Sequence, residues 1–172
     1  MVRVLNFVIG LDEDSMHHNC FYICLYTGSC WSFGTTGTIE GHYFLKYQKL
    51  PILSQQELVD CSWPYENYGC DGGEDTSAYE WIMANGGLST EASYGSYLAA
   101  NGWCGVNRTV VEPLVKLSNY VQVEKGNEHA LMDAIANKGP TSVSIDASLD
   151  SFSFYSSGVY YDAKCKWFSV HW

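Results

Sequence analysis

Gly28-Ser29-Cys30-Trp31-Ser32-Phe33 is the stretch from which the rest of the chain is read. Small residues lead into a cysteine, and Cys30 to about Gln48 then reads as one long helix. A thiol is a weak nucleophile at neutral pH until its pKa is lowered, and the partial positive charge of a helix N-terminus lowers it. Gly34, Gly37 and Gly41 lie inside this helix and each lowers helix propensity by up to about 1 kcal/mol relative to Ala. Their spacing predicts close packing against a neighbouring domain. Ser54 with Glu57 writes a capping box that opens a short helix toward Cys61. Glu74 to Asn85 follows as a helix with Ala78, Trp81 and Ile82 on one face and Gly86-Gly87 as its stop. Residues 88–109 are rich in turn formers and contain Asn107-Arg108-Thr109, an acceptor for N-linked glycosylation if the chain is secreted. From Val110 onward strands take over, Lys116 to Val123 and Ser142 to Ala147, interrupted by a helix over residues 128–137. Helices first and strands later, with no repeats or low-complexity stretches, make an α+β chain.

Composition narrows the function classes. The 172 residues suffice for a core of ordinary size, and 47% hydrophobic with 15% aromatic content excludes a disordered chain. A net charge of −10 argues against nucleic acid, whose phosphates need Lys/Arg clusters, and suits work in an acidic compartment. No apolar run reaches membrane-spanning length. Val4 to Leu11 follows Arg3 but is short, contains Asn6 and runs into Asp12-Glu13-Asp14, so it is not read as a signal peptide. No inhibitory pro-segment is recognisable. Seven cysteines point to an oxidising compartment, and the odd number leaves at least one thiol. Cys20 and Cys24 with His17 and His18 are too isolated for zinc, so neither a metal nor another cofactor is expected. His42 lies twelve residues along the helix that Cys30 opens, about 18 Å away, and reads as a surface or packing residue. His129, near the start of the helix over 128–137, faces solvent.

Further blocks stand in a recognisable order: Leu53-Ser54-Gln55-Gln56-Glu57-Leu58-Val59-Asp60-Cys61, then Tyr68-Gly69-Cys70-Asp71-Gly72-Gly73. Gly139-Pro140 with Val143-Ser144-Ile145-Asp146-Ala147, and Phe154-Tyr155-Ser156-Ser157-Gly158-Val159-Tyr160, continue it. Together with Thr27-Gly28-Ser29-Cys30-Trp31 they resemble the papain-like (C1) cysteine peptidases, cathepsin L-like branch, over about residues 28 to 165. The match to the signature Cys-Gly-[Ser/Ala]-Cys-[Trp/Tyr] lacks its first cysteine, which is Thr27 here.

The resemblance implies an α+β, papain-like two-domain fold. Residues 1–26 are an unmatched segment, 27–109 a helical left domain with the nucleophile helix, and 110–172 an incomplete antiparallel β-barrel right domain. It implies Cys30 as the catalytic nucleophile, with a catalytic histidine on the facing wall. His171, 141 residues after Cys30 and six after Cys165, is the one histidine in the family's downstream window. The competing reading is that residues 166–172 come from a truncated or misjoined frame and His171 falls there by accident. The resemblance assigns Gly72, Gly73, Glu74, Asp75 and Ser144 to substrate binding and pairs Cys61 with Cys104. Cys70 and Cys165 are left without their family partners unless Cys20 or Cys24 substitutes. The glutamine that family members carry six residues before the nucleophile, an oxyanion donor, is replaced by Cys24. The Cys30 amide still donates there, while loss of one such donor typically costs about 100- to 1000-fold in rate. The asparagine that orients the family's histidine would fall after Trp172.

Gly72-Gly73 would let a peptide pair backbone to backbone. Glu74-Asp75 stand where the family carries bulky apolar residues, which predicts Lys or Arg over Leu or Phe two residues before the cut. The plainer reading is a pair of exposed acids favouring a helix N-terminus. The function implied is a cysteine endopeptidase that hydrolyses peptide bonds through a thiolate, impaired or inactive in this chain. The alternative is a noncatalytic homologue that binds peptides or captures cystatin-like peptidase inhibitors. A third reading is a truncated product that does not fold stably, because half a barrel leaves open strand edges. The expected partners are peptide or protein substrates, with neither membrane nor nucleic acid, for a monomer in the lysosome or outside the cell.

Overall fold

The first helix, α1 (Cys30–Tyr47), is the spine of the computed structural model, which describes residues 4–9, 28–107, 109, 111–146 and 149–164; residues 4–9 and Asp146 are described by their backbone only. α1 ends at Gln48, whose φ of 55° is left-handed and whose N–H caps the Phe44 carbonyl. Around α1 the chain lays α2 (Gln55–Cys61), α3 (Asp75–Ala84) and α4 (Glu91–Tyr94), with 3-10 turns at Trp63–Tyr65 and Gly69–Asp71. α5 (Glu128–Asn137), a strand over Thr141–Asp146 and α6 (Asp150–Ser153) follow. The helices of the first half pack on one another through Trp31, Ile39, Leu58, Val59, Ala78, Trp81 and Ile82, joined by Leu53, Leu88 and Val115. Ala78, Trp81 and Ile82 share the buried face that the spacing in α3 predicts. Gly87, with φ +130°, donates its N–H to the Ile82 carbonyl at 2.9 Å and turns the chain out of the helix.

Ser54 caps α2 as predicted, its Oγ accepting from the Glu57 N–H at 3.1 Å. The other half of the expected capping box is redirected. The Ser54 N–H donates to the Ser89 carbonyl at 3.0 Å, and Glu57 Oε2 accepts from the Ser89 N–H at 2.9 Å. Glu57 is fully buried and thus ties α2 to the segment after α3. The end of α2 is stapled by a disulfide between Cys61 and Cys104, the pairing implied by the family resemblance. Closing a loop of 43 residues removes chain entropy worth about 4 kcal/mol from the unfolded state. Asp60 works beside it: its carboxylate accepts from Gln56 Nε2 at 2.7 Å, the Gly102 N–H at 2.9 Å and the Tyr94 hydroxyl at 2.9 Å. Burial of the Tyr94 ring and the nearby carboxylates of Asp60 and Glu57 push its hydroxyl up to about 12.

The second half departs from the expected strand pattern. Residues 116–123 are irregular and follow the bridge between Leu88 and Val115; Leu117 and Tyr120 pack against the core, and the Tyr120 hydroxyl donates to Glu80 Oε1 at 3.0 Å. A strand is stabilised by its ladder partner, and Lys116 to Val123 has none among the described residues. The strand expected over Ser142 to Ala147 is present as Thr141–Asp146, and its partner is unforeseen. Val4–Ile9, inside the segment read as unmatched, pairs with it antiparallel, in a register running from Val4 opposite Asp146 to Ile9 opposite Thr141. In chain order these strands are β1 (Val4–Ile9) and β2 (Thr141–Asp146). Both lie against α1. Gly41 makes the close approach possible, since a Cβ there would stand 2.5 Å from Pro140 Cγ. One residue on, His42 Nε2 donates to the Pro140 carbonyl at 3.0 Å, so this exposed histidine is also a packing residue. Among the described residues, no helix is long and apolar enough to cross a membrane.

Candidate active site

Cys30 is the first residue of α1, is 7% exposed and keeps its thiol outside any disulfide. The residues around it explain how it is held. Gly28 has φ +62°, and a Cβ there would lie 2.6 Å from the Cys70 carbonyl oxygen, so only glycine lets the two backbones meet. Ser29 is buried, and its hydroxyl shares a hydrogen bond with the Tyr97 hydroxyl. The Tyr97 ring in turn meets Phe33 edge-on at 4.9 Å between centroids. The first turns of α1 use their own hydroxyls as braces. Ser32 Oγ donates to the Ser29 carbonyl at 2.8 Å and Thr35 Oγ1 to the Trp31 carbonyl at 2.8 Å.

Trp31 fixes the glycine-rich loop onto this helix start. Its side chain is 1% exposed, and Nε1–H donates to the Gly69 carbonyl at 3.1 Å. The loop closes on itself through the Tyr68 N–H and the Gly72 carbonyl at 2.8 Å. Two asparagines complete the clasp. Asn67, fully buried, accepts from the Glu74 N–H at 2.7 Å and donates to Ser62 Oγ at 3.1 Å. Asn101 Oδ1 accepts from the Cys70 N–H at 2.8 Å. No motif announces Asn67, Tyr97 or Asn101, because each acts on residues distant along the chain.

The two expected loop glycines have different reasons to be glycine. Gly72 has φ +128° and open space where a Cβ would stand, while its carbonyl accepts from the Tyr68 N–H. Gly73 is packed from inside, since a Cβ would stand 2.7 Å from the Trp31 ring and 2.5 Å from Asn67 Oδ1. A side chain at Gly73 would therefore displace Trp31 and Asn67, whereas one at Gly72 would meet no neighbour. Glu74 is exposed at the N-cap position of α3, and Asp75 occupies its first turn. Asp75 Oδ1 accepts from the Thr76 N–H at 2.8 Å, which is the plainer role considered for this acid.

Cys70 is the second thiol on this surface and is chemically different. Partial burial together with the carboxylates of Asp71 and Asp60 pushes its thiol up, away from the reactive thiolate. Thus the structure brings Cys30, Gly72, Gly73, Glu74 and Asp75 to one side of α1. Ser144 lies on β2, which packs against α1; Pro140, the residue before β2, meets α1 at Gly41, about 17 Å along the helix from its start. Asn107 is exposed on the loop after the disulfide. His171, Cys165, Cys20, Cys24, His17 and His18 lie outside the described residues. Among the described residues, no group of three His, Cys, Asp or Glu side chains could hold a metal ion.

Residues 24–171 match the family described as papain family cysteine protease, so the match reaches past both ends of the region seen in the sequence motifs. A cathepsin L-like peptidase of Aedes aegypti is 49% identical over 138 residues, 80% of this chain and 40% of that protein. Cathepsin K of Mus musculus is 48% identical over 138 residues, again 80% of this chain and 40% of that protein. The chain thus spans about two fifths of the length of these curated relatives. Among solved structures, digestive procathepsin L 3 of the Tenebrio molitor larval midgut superposes with a TM-score of 0.74 at 40% identity, covering 81% of this chain and 44% of that one. Digestive procathepsin L2 proteinase of the same source gives a TM-score of 0.73 at 36% identity, covering 81% and 43%.

Proposed function

Because the chain belongs to the papain family of cysteine proteases, we propose that it is a cysteine endopeptidase with Cys30 as its nucleophile. The observation that carries this is the placement of a buried thiol at the first position of an 18-residue helix, with a glycine-rich loop clasped to the same helix start. The Cys30 thiolate attacks the carbonyl carbon of a peptide bond, the carbon–nitrogen bond breaks, and the leaving amine takes a proton from His171. Water then hydrolyses the thioester and restores the thiol. The family match extending to residue 171 supports His171 as that acid and base over its being an accident. Gly72 and Gly73 offer backbone to the peptide, and Glu74 and Asp75, at the start of α3 that follows them, favour Lys or Arg two residues before the cut. Ser144 contributes from the facing segment. The left domain over 27–109 and the right domain over 110–172 provide the two walls. The disulfide and the acidic net charge support an acid vesicle or the extracellular space as the place of work, with peptides, proteins and cystatin-like inhibitors as partners of a monomer.

The test is the alkylation rate of each cysteine from pH 4 to 9, read by peptide mass, alongside cleavage of fluorogenic peptides carrying Arg or Leu at the position two before the cut. At pH 5, Cys30 is expected to react at least tenfold faster than Cys70, and His171→Ala to abolish the difference. Arg peptides are expected to be cleaved faster than Leu peptides. If Cys30 reacts only as pH approaches about 8.5, like an ordinary thiol, the chain is a noncatalytic homologue and its loop a peptide-binding surface.

A further inference from the structure

Asn107-Arg108-Thr109 is the single Asn-x-Ser/Thr triplet in the sequence, and neither the core nor the cysteine site uses it. The side chains of Asn107 and Thr109 are exposed, three and five residues beyond the disulfide cysteine Cys104. Within the triplet, Asn107 Oδ1 accepts twice, from the Thr109 N–H at 3.0 Å and from Thr109 Oγ1 at 2.6 Å. Among the described residues Asn107 Nδ2 donates to no protein atom, so attaching a group to it breaks no bond to them. The Asn107 carbonyl meanwhile accepts from the Val111 N–H at 2.7 Å, a bond that leaves the Asn107 side chain free of that role. A chain with a disulfide at this loop matures where thiols are oxidised, the environment in which such triplets are modified.

We propose that Asn107 is an N-glycosylation site, occupied as the chain enters an oxidising secretory compartment. The donor is an oligosaccharide carried on a polyisoprenyl diphosphate. Asn107 Nδ2 forms the new bond to the sugar's anomeric carbon, and the bond from that carbon to the diphosphate oxygen breaks. The lipid diphosphate leaves, and the proton lost from Nδ2 passes to a base of the transferase. Thr109 Oγ1 is a positioning group, since its hydroxyl already lies on the Asn107 amide. The inference is independent of Cys30 and its chemistry.

The experiment translates the full chain behind a cleavable leader in the presence of secretory microsomes, followed by amide-cleaving glycosidase digestion and peptide mass analysis. One glycan is expected, with Asn107 converted to Asp on release. Asn107→Gln and Thr109→Ala are each expected to abolish it, and Thr109→Ser to retain it at reduced occupancy. His129→Thr writes a second triplet at Asn127 and reports entry into the microsome whether or not the chain folds. A glycan on that engineered position with none on Asn107 overturns the proposal, as does a glycan that persists in Asn107→Gln.

Discussion

Between Ser29 and Val115 the chain buries Trp31, Leu53, Leu58, Val59, Trp81, Ile82 and Leu88, whereas between Lys116 and Lys164 only Pro140 and Phe152 are buried among the described residues. The first region adds a disulfide, a buried glutamate bridging two segments and a clasp of asparagines. The second reaches it through partly buried side chains such as Leu117 and Tyr120, and through Pro140 against Gly41. Apolar burial is the main favourable term in folding, so stability is concentrated in the region that holds Cys30. Of the second region, β2 lies against α1.

The strongest way to break this contrast is Trp31→Ala. Removing a fully buried indole that also satisfies the Gly69 carbonyl is expected to cost about 3–5 kcal/mol, read as a fall in the urea midpoint. A loss below about 1 kcal/mol would mean that the loop is held by other contacts.

The contrast is sharpened by pH at Glu40, on α1. Glu40 Oε1 accepts from the Leu53 N–H at 2.7 Å. Burial, with the Glu91 carboxylate adding to it, nonetheless raises the Glu40 carboxyl from 4.5 to about 7. A carboxyl with a raised folded pKa holds its proton in the native state after the unfolded chain has lost it. Its contribution is therefore fully present below about pH 4.5 and lost as pH rises through about 7. Glu40→Gln keeps the acceptor and removes the titration. Denaturation of the parent chain is expected to show stability falling between these pH values, by on the order of 3 kcal/mol, and the variant a flatter profile. Equal slopes would remove Glu40 as the cause.

The smallest effect is expected at Val121→Ser, in the irregular segment. Val121 is 88% exposed, and substitution should change stability by no more than about 0.5 kcal/mol. A larger loss on thermal melting would show that the second region buries more than its described residues do.

Much of the first region was legible in the sequence because its signals are local. The Gly28-Ser29-Cys30 start, the Ser54 cap, the Ala78/Trp81/Ile82 face and the Gly86-Gly87 stop each act within a turn or two of chain. Cys61 with Cys104 came from resemblance, since spacing alone does not assign a pairing. The failures have a common cause in partners distant along the chain. Glu57 had the residue type for a capping box, but its carboxylate takes the Ser89 N–H while the Ser54 N–H goes to the Ser89 carbonyl. Lys116 to Val123 had strand composition but no ladder partner among the described residues, and Val4–Ile9 had one that no pattern announced. The two loop glycines read alike, yet one is open and the other is filled by Trp31.

The sequence by itself determined the family, the helix that Cys30 opens and the loop chemistry offered beside it, because these depend on residue types at short spacing. Only the tertiary structure decided that Asn67, Tyr97 and Asn101 hold the loop to that helix, that Gly73 serves Trp31, and that β1 pairs with β2. The physical reason is that hydrogen-bond partners and close contacts are selected when distant segments exclude water together, and one chain's pattern does not encode which segments will meet.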